Sequence, residues 1–417
     1  MTKKILALVL ALVMVLGCLA ACGEKKDPDT TDPKATQPED GTEPAAAAPS
    51  DFKVALICLH GDSSTYDKNF IEAFKAACAN KGIDEANYSI VTDIPEGVEC
   101  YEQAANFADD GYNLVFADSF GHESYMMQAA EEFPEVRFCH ATGVMAHTAE
   151  LSNFSDAFAS IYEGRYLAGV AAGLKLVELY GDEEGKVADE DCKIGYVGAW
   201  PYAEVISGYT SFYLGVKSVV ENVTMEVRYT NSWYDETAEK TTALALIDAG
   251  CKLISQHADS MGAPTACEER NIPNVSYNGS TAEACPNTFI IASRINWTPY
   301  FEYAIDCAIN GKDIEADWTG TIATGSVVLT DLGPAAAPGT AEKLEEVKAA
   351  LVAGSLHVFG TDTFTVNGEA LTEYLADVDG DFVGETNVIH DGYFDESGEG
   401  FRSAPYFDII IDGITVK

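Results

Sequence analysis

The sequence predicts an α/β protein with two lobes, each built on a parallel sheet and joined by a hinge. Short apolar segments alternate with amphipathic helical segments from residue 53 to about 140, and the alternation starts again near residue 157. This βαβα order is typical of a parallel sheet with helices on both faces. Residues 51–417 also exceed the length that one hydrophobic core usually supports. We expect lobe 1 at about 51–150 plus part of 276–345, and lobe 2 at about 155–275 plus the C-terminal segment.

Each predicted element follows from its local pattern. Short runs rich in Val, Ile, Leu and Phe predict strands, and longer segments with apolar residues three or four positions apart predict helices. The predicted strands are 53–59, 89–92, 114–117, 136–140, 193–197, 225–230 and 253–256. The predicted helices are 69–80, 99–109, 125–132, 157–178, 207–220 and 237–249.

The residues that follow the predicted strands are the candidate ligand contacts, since open parallel sheets bind ligands beyond the carboxyl ends of their strands. These segments include 60–70, 118–121, 140–143, 198–202, 231–234, 257–260 and 277–279. Aromatic rings and neutral or acidic hydrogen-bonding groups recur in them, whereas Lys and Arg are nearly missing. Such a lining favours a flat, uncharged or weakly basic ring and disfavours a phosphate or carboxylate ligand. The candidates are Tyr66, Asp67, Phe70, Ser119, Phe120, Gly121, Trp200, Trp233, Asp259 and Asn278.

A short hydrophobic leader predicts export and lipid anchoring. Met1–Lys4 is basic, Ile5–Leu16 is apolar but too short to span a bilayer, and Leu19–Cys22 resembles a bacterial lipobox. The resemblance implies a signal peptide over residues 1–21 and a diacylated Cys22 on the extracytoplasmic face of the cell membrane. Cys18 is an alternative acceptor, and an ordinary secretory leader is the other alternative. Residues 22–50, rich in Pro, Asp, Thr and Ala, predict a disordered acidic tether.

Composition excludes some partners and cofactors. The chain carries 25 basic and 67 acidic residues, a net charge of −42, which disfavours nucleic acid and direct adhesion to anionic lipid. Nine of the eleven cysteines follow Cys22, without a CxxC pair or metal-ligand spacing. We expect mostly free, buried thiols, with one or two disulfides as the alternative, and neither a metal nor a cofactor.

Several motifs, in the same order along the chain, resemble the basic-membrane-protein (PnrA-like) family of substrate-binding lipoproteins. The longest is Glu163–Gly173, with the sequence EGRYLAGVAAG. The others are Ala117–Gly121, Phe133–Phe138, His140–Gly143, Lys193–Gly198, Leu246–Gly250, Gln256–Ser260 and Ile295–Trp297. The resemblance covers roughly residues 52–358, and several motifs in order are far more specific than one.

The resemblance implies a type I periplasmic-binding-protein fold, with two Rossmann-like lobes that close on a ligand. It also implies a monomer that delivers a purine nucleoside to the permease and ATPase subunits of an ABC importer. By position, Phe120 and either Tyr66 or Phe70 would stack on the base. Asp67 matches an Asp of the family's first loop, and Asp259 matches a ligand-facing acid of the second lobe.

Two departures from the family leave the ligand open between a nucleoside and a free base. Tyr66 stands where the family's first loop usually has Asn. Ala141-Thr142 follows the fourth strand, where nucleoside binders often carry an acid. Both departures bear on recognition of the ribose.

Two other classes of protein remain as alternatives. An enzyme acting on nucleosides is the first, although the chain contains no GxSxG, HExxH, Walker or GxGxxG motif. A membrane-tethered signalling receptor or adhesin of the same fold, for a purine or another small neutral solute, is the second.

The acidic tail from Phe359 to Lys417 is longer than the family's usual ending. Within it, Asp377–Asp381 has Asp at alternate positions, as a calcium-binding loop does. The spacing does not match the EF-hand pattern, so we expect a solvated turn.

Overall fold

The structure is a computed structural model that describes residues 48–417. The predicted signal peptide, Cys22 and nearly all of the tether lie outside the described residues. The strands are β1 Val54–Ile57, β2 Tyr88–Val91, β3 Leu114–Ala117, β4 Arg137–Ala141, β5 Phe154–Ala159, β6 Lys193–Gly198, β7 Thr224–Tyr229, β8 Ile254–Gln256, β9 Asn274–Tyr277, β10 Phe289–Ile295, β11 Asp317–Gly320, β12 Val327–Leu329, β13 Leu375–Ala376, β14 Thr386–Asn387, β15 Ile389–His390, β16 Tyr393–Phe394 and β17 Ile414–Val416. The helices are α1 Thr65–Asn80, α2 Val98–Asp109, α3 Glu123–Glu132, α4 Ile161–Tyr180, α5 Ala203–Lys217, α6 Glu236–Asp248, α7 Gly262–Arg270, α8 Thr298–Ile309 and α9 Thr340–Val352.

Two large sheets organise the described residues, as predicted. The first has six strands in the order β11-β5-β4-β3-β1-β2, and all its neighbours are parallel. The second has seven strands in the order β12-β10-β9-β8-β6-β7-β17, and within it only β12 runs antiparallel to its neighbour. The central strands β1 and β3 are buried along their whole length, which explains their continuous apolar composition.

The chain passes between the two sheets at three places. The first is Ser160, between β5 and α4, and the last is the segment between β11 and β12. The second lies after β10, where α8 returns to pack on α1 of the first lobe. Phe74 and Phe301 make that contact with ring centroids 5.3 Å apart, and Lys81 Nζ lies 2.6 Å from an Asp306 carboxylate oxygen.

The prediction of a single helix over 157–178 was wrong at its start. Phe154–Ala159 forms β5, and α4 begins only at Ile161. The strand is buried on both faces and includes the polar residues Ser155 and Asp156, so its sequence shows neither alternation nor a continuous apolar run. The backbone of Ser160 has φ −67° and ψ 57°, and this bend separates the two elements.

Helices α4 and α5 approach each other backbone to backbone. A Cβ at Gly169 would overlap the carbonyl oxygen of Phe212, and a Cβ at Gly215 would overlap that of Tyr166. The two glycines face each other, since a Cβ on either would lie 3.0 Å from the Cα of the other. The glycine spacing in the EGRYLAGVAAG motif therefore serves helix packing.

The C-terminal segment contacts both halves of the molecule. Glu396 accepts a hydrogen bond from Ser207 of α5 at 2.7 Å, and Ser403 N donates to Asp317 of β11 at 2.8 Å. β17 then adds an edge strand beside β7.

In the turn at Asp377–Asp381, the carboxylates of the three aspartates accept backbone N–H groups of nearby residues. The carboxylates therefore stabilise the turn itself.

All nine cysteines of residues 48–417 are buried and unpaired, in agreement with the prediction of free thiols. Within the same residues, no helix combines the length and apolar composition needed to cross a bilayer.

We expect Gly169→Ala to lower the free energy of unfolding by about 1–3 kcal/mol, because the added methyl group forces α4 away from α5. Urea unfolding followed by circular dichroism measures the change. Gly61→Ala is the matched control, since a Cβ there makes only ordinary contacts at 3.7 Å. Equal stability of Gly169→Ala and wild type would contradict the packing argument.

Candidate functional site

The carboxyl ends of the strands in both sheets line a cavity whose empty space, including the part open to solvent, is about 370 Å³. Its lining comes from the segments after β1, β3, β4, β7 and β8, from the end of β9, and from the first turns of α1 and α5. Parallel sheets usually bind ligands at this edge. The lining residues are Leu59, His60, Tyr66, Asp67, Ser119, Phe120, Thr142, Glu204, Trp233, His257, Asp259 and Tyr277.

Most of the residues predicted to contact a ligand lie together here. Gly121 and Trp200 line a wider mouth, open to solvent, which shares Phe120 and Trp233 with the cavity. The predicted residues that line the cavity itself are Tyr66, Asp67, Ser119, Phe120, Trp233 and Asp259.

Two predicted residues stand behind the lining. Phe70 is fully buried in the core, stacked on Trp297 with centroids 4.3 Å apart. Of the two aromatic residues proposed for the first loop, Tyr66 is therefore the one that reaches the cavity. Asn278 is buried and its side-chain amide lies 3.4 Å from an Asp259 carboxyl oxygen, so it supports that acid from behind.

Sequence reasoning missed Glu204 as a site residue. It lies in the first turn of α5, just beyond the segment that follows β6. Extending the strand-exit rule by one turn into each following helix would have included it. The other additional lining residues, namely Leu59, His60, Thr142, His257 and Tyr277, lie at the ends of strands or in the exit segments already identified.

Asp67 is an ionised acceptor at the start of α1. Burial favours the neutral form of its carboxyl group, but hydrogen bonds with His60 and Ser64 outweigh burial and lower the pKa below its ordinary value. The backbone N–H of His60 donates to Asp67 Oδ1 at 2.7 Å. Ser64 caps the helix by accepting from Asp67 N at 3.2 Å.

The pKa of Asp259 is shifted in the opposite direction. Burial, and then the charges of Asp67, Glu239 and Glu204, raise the pKa of its carboxyl well above the ordinary value. We therefore expect Asp259 to be protonated near pH 7 and able to donate a hydrogen bond. The cavity is thus lined by two aspartates whose pKa values are shifted in opposite directions.

The contact that closes the cavity also involves Asp259. Its backbone oxygen accepts from Thr65 N at 3.1 Å and from Thr65 Oγ1 at 3.2 Å. Thr65 begins α1 beside the first sheet, whereas Asp259 follows β8 of the second. The two sets of strand exits are therefore hydrogen-bonded directly to each other, and the described conformation is closed.

The floor below Tyr66 contains a cluster of one thiol and two carboxyl groups, of which Asp67 is ionised. The Tyr66 hydroxyl donates to the Asp118 backbone oxygen at 2.6 Å, which fixes the position of the ring. Cys58, Asp67 and Asp118 hold metal-ligand atoms within 4.8 Å of one another. Burial raises the pKa of the Cys58 thiol and of the Asp118 carboxyl well above their ordinary values. Because a neutral thiol and a neutral acid are poor ligands, this cluster does not favour a cation.

Aromatic rings from both halves form the mouth. Phe120, after β3, stacks on Tyr202, after β6, with centroids 5.2 Å apart and planes at 28°. Tyr202 in turn stacks on Trp200 at 6.0 Å. A flat ligand that enters the cavity passes this aromatic wall.

A buried cluster supports the loops on the first-sheet side. His140 bridges the carbonyl oxygen of Ser119 at 2.7 Å and the carboxyl group of Asp156 at 3.1 Å. Glu123 accepts from the backbone N–H groups of Val144 at 2.7 Å and Met145 at 2.6 Å. These contacts hold the segments that carry Ser119 and Thr142, which line the cavity.

The fold and this site define a class of protein. Two mainly parallel sheets, crossed three times by the chain and closed around a cavity at their carboxyl edges, form a type I periplasmic binding fold. A solute-binding protein of an ABC transporter from Aeropyrum pernix K1 has a similar structure, with a TM-score of 0.61 and 17% identity, covering 74% of this chain and 93% of that one.

The family profile for PnrA-like ABC transporter substrate-binding proteins matches residues 60–351, and this chain belongs to that family. The expectation from the sequence motifs is thereby confirmed.

Two relatives are named for binding different ligands. A Haloferax volcanii protein named for glucose binding in an ABC transporter is 28% identical over 69% of this chain and 70% of its own length. A purine-binding protein of Brucella abortus is 33% identical over 52% of this chain and 57% of its own length. The chain thus spans little more than half of the purine-binding relative.

We expect the cluster around Glu123 to make stability depend on pH. Burial, and then the charge of Asp156, raises the pKa of Glu123 to about 8, against about 4.3 in an unfolded chain. Between these values the native state binds more protons, so this group lowers the free energy of unfolding as pH rises, by up to about 1.4 kcal/mol per pH unit.

Glu123→Gln removes this titration while keeping an oxygen acceptor for the loop. Urea unfolding at intervals from pH 5 to pH 8 should therefore show a shallower decline than in wild type. Glu131→Gln, an exposed change on the same helix, is the control. An unchanged slope in Glu123→Gln would show that this carboxyl group is not protonated in the native state.

Proposed function

We propose that this protein is a lipid-anchored, extracytoplasmic solute-binding protein that captures a purine nucleoside or a free purine base and delivers it to an ABC importer. The observation that carries the proposal is the closed cavity, which combines aromatic rings with carboxyl groups. No Lys or Arg is among its lining residues. The name of the Brucella abortus relative supports the purine assignment.

The chemistry of the lining matches a heterocycle with both donors and acceptors. The lowered pKa of Asp67 favours a charged acceptor of hydrogen bonds, whereas the raised pKa of Asp259 favours a neutral acid that can donate one. Tyr66, Phe120 and Trp233 offer rings for stacking. A purine edge carries ring nitrogens that accept and N–H groups that donate, so it satisfies both acids in their expected protonation states. An anionic ligand would meet several carboxyl groups and no Lys or Arg among the lining residues.

Nucleoside and free base remain two forms of the same proposal. Tyr66 and Thr142, at the positions where the chain departs from its family, both line the cavity. We therefore propose that these two residues decide whether a ribose is accommodated. We infer that binding, rather than turnover, is the activity, in keeping with the family.

A sugar is the second candidate ligand, favoured by the name of the Haloferax volcanii relative. Carboxyl groups and aromatic faces also bind sugar hydroxyls and the apolar faces of pyranose rings. The same lining residues would serve, so the choice needs a binding measurement.

The anchor is proposed from the lipobox-like segment that ends at Cys22. We expect Cys22→Ala to move the protein from the membrane fraction to the soluble fraction when it is expressed in a bacterium. Wild type should incorporate an alkyne-labelled fatty acid, and the variant should not. Cys18→Ala is the control, and labelling lost in Cys18→Ala but kept in Cys22→Ala would assign the anchor to the alternative cysteine.

We expect purines to raise the melting temperature of the protein. Adenine, guanine, hypoxanthine, their nucleosides and glucose are compared, since a ligand at 100 times its Kd stabilises the native state by about 2.7 kcal/mol. Phe120→Ala should weaken purine binding by about 1–3 kcal/mol through lost stacking. Phe382→Ala, in the exposed tail, is the control. A shift with glucose alone would refute the purine assignment and favour the second candidate.

A further inference from the structure

Arg165 is a buried cation without a carboxylate partner. It lies on α4, only 1% exposed, and no acidic side chain among residues 48–417 forms an ion pair with it. Its guanidinium donates to the Gln256 carbonyl oxygen at 2.9 Å and lies 3.3 Å above the ring of Tyr277. Burying a charge in this way is costly, which indicates a role beyond packing.

Another contact of the guanidinium fixes the tautomer of His257, which lines the cavity. Arg165 Nη2 lies 3.1 Å from Nδ1 of His257. A guanidinium has only donors, so Nδ1 must accept, and the single proton of the neutral imidazole must be on Nε2. Nε2 lies 3.3 Å from Glu204 Oε1, to which it donates. The three side chains form a directed chain from Arg165 through His257 to Glu204.

His257 and Glu204 line the cavity, whereas Arg165 does not. The backbone leaves room for this arrangement at Gly208, where a Cβ would lie 3.2 Å from Nδ1 of His257. Charged or titratable groups face His257 from several elements. They are Arg165 on α4, Glu204 on α5, Tyr277 on β9 and Asp259 on its own segment.

We propose that Arg165 is a positioning residue for ligand binding, which holds His257 as the neutral Nε2–H tautomer and thereby orients Glu204 as an acceptor for an N–H or O–H group of the ligand. This inference rests on the proposed function only in assuming that the ligand occupies this cavity. The tautomer itself does not depend on which solute binds.

Burial lowers the pKa of His257, the nearby Glu204 carboxylate raises it, and the Arg165 charge lowers it further. Removing the Arg165 charge removes one of the two effects that lower this pKa, while burial still opposes the carboxylate. In Arg165→Met we therefore expect His257 to have a higher pKa than in wild type and to become charged at a higher pH. Ligand affinity should then depend on pH more strongly than in wild type.

The first experiment measures the tautomer without a ligand. Proton–nitrogen correlation NMR spectra of protein labelled with nitrogen-15 histidine distinguish the Nε2–H tautomer from the Nδ1–H tautomer. The signal that disappears in His257→Gln is assigned to His257. We expect Nε2–H in wild type and a titrating imidazole in Arg165→Met. A wild-type Nδ1–H tautomer would overturn the inference, whatever the protein binds.

The second experiment measures Kd by calorimetry between pH 5.5 and pH 8, with adenine, guanine, hypoxanthine and their nucleosides as probes. Arg165→Met should bind about tenfold more weakly at pH 7, and Arg165→Lys should be intermediate. The added pH dependence should disappear in Arg165→Met/His257→Gln. Arg402→Met removes another buried arginine, in the tail, and should leave affinity unchanged.

The outcomes separate the two proposals. Failure of all probes to bind wild type would refute the purine assignment, while the spectra would still test Arg165. Wild-type affinity and pH profile in a folded Arg165→Met would overturn the positioning role. If Arg165→Met does not fold, Arg165→Lys and the wild-type tautomer decide the question.

Discussion

The second-sheet side of the cavity depends on the close approach of α4 and α5. Helix α4 carries Arg165, and the first two turns of α5 carry Glu204 and Gly208. Because Gly169 and Gly215 remove the side chains between the helices, the backbones sit at contact distance and leave little freedom for relative sliding. The distances around His257 are set by this contact. The family motif EGRYLAGVAAG is thus largely a packing device that helps to position groups lining the cavity.

Much of the fold could be predicted because its signals are local. Alternating apolar strands and amphipathic helices correctly indicated two parallel sheets, and Leu114–Ala117 was predicted to the residue. The strand β5 was missed because Phe154–Ala159 is buried on both faces and has no period. The pairing of β11 with β5, and of β17 with β7, joins residues far apart in the chain, and no local pattern predicts such contacts.

The site could be predicted in outline but not in detail. Strand exits converge at one edge of a parallel sheet, so Asp67, Phe120 and Asp259 were identified from sequence alone. Periodicity does not tell which aromatic ring of a helix turn faces a cavity, and so Tyr66 and Phe70 could not be separated. The opposite pKa shifts of the two aspartates depend on burial and on neighbouring groups, some of them from other elements. Those quantities exist only once the chain is folded.

The pairing of β17 with β7 has a consequence for handling the protein. Residues 414–416 cover the outer edge of the second sheet, and Lys417 adds a contact at 2.9 Å to the buried Glu226 carboxylate. Without these residues, β7 would present free N–H and C=O groups to any other extended chain. Proteolytic removal of a few C-terminal residues would therefore not remove any residue that lines the cavity. It would expose β7 as an edge strand, through which two molecules could pair by β-sheet hydrogen bonds.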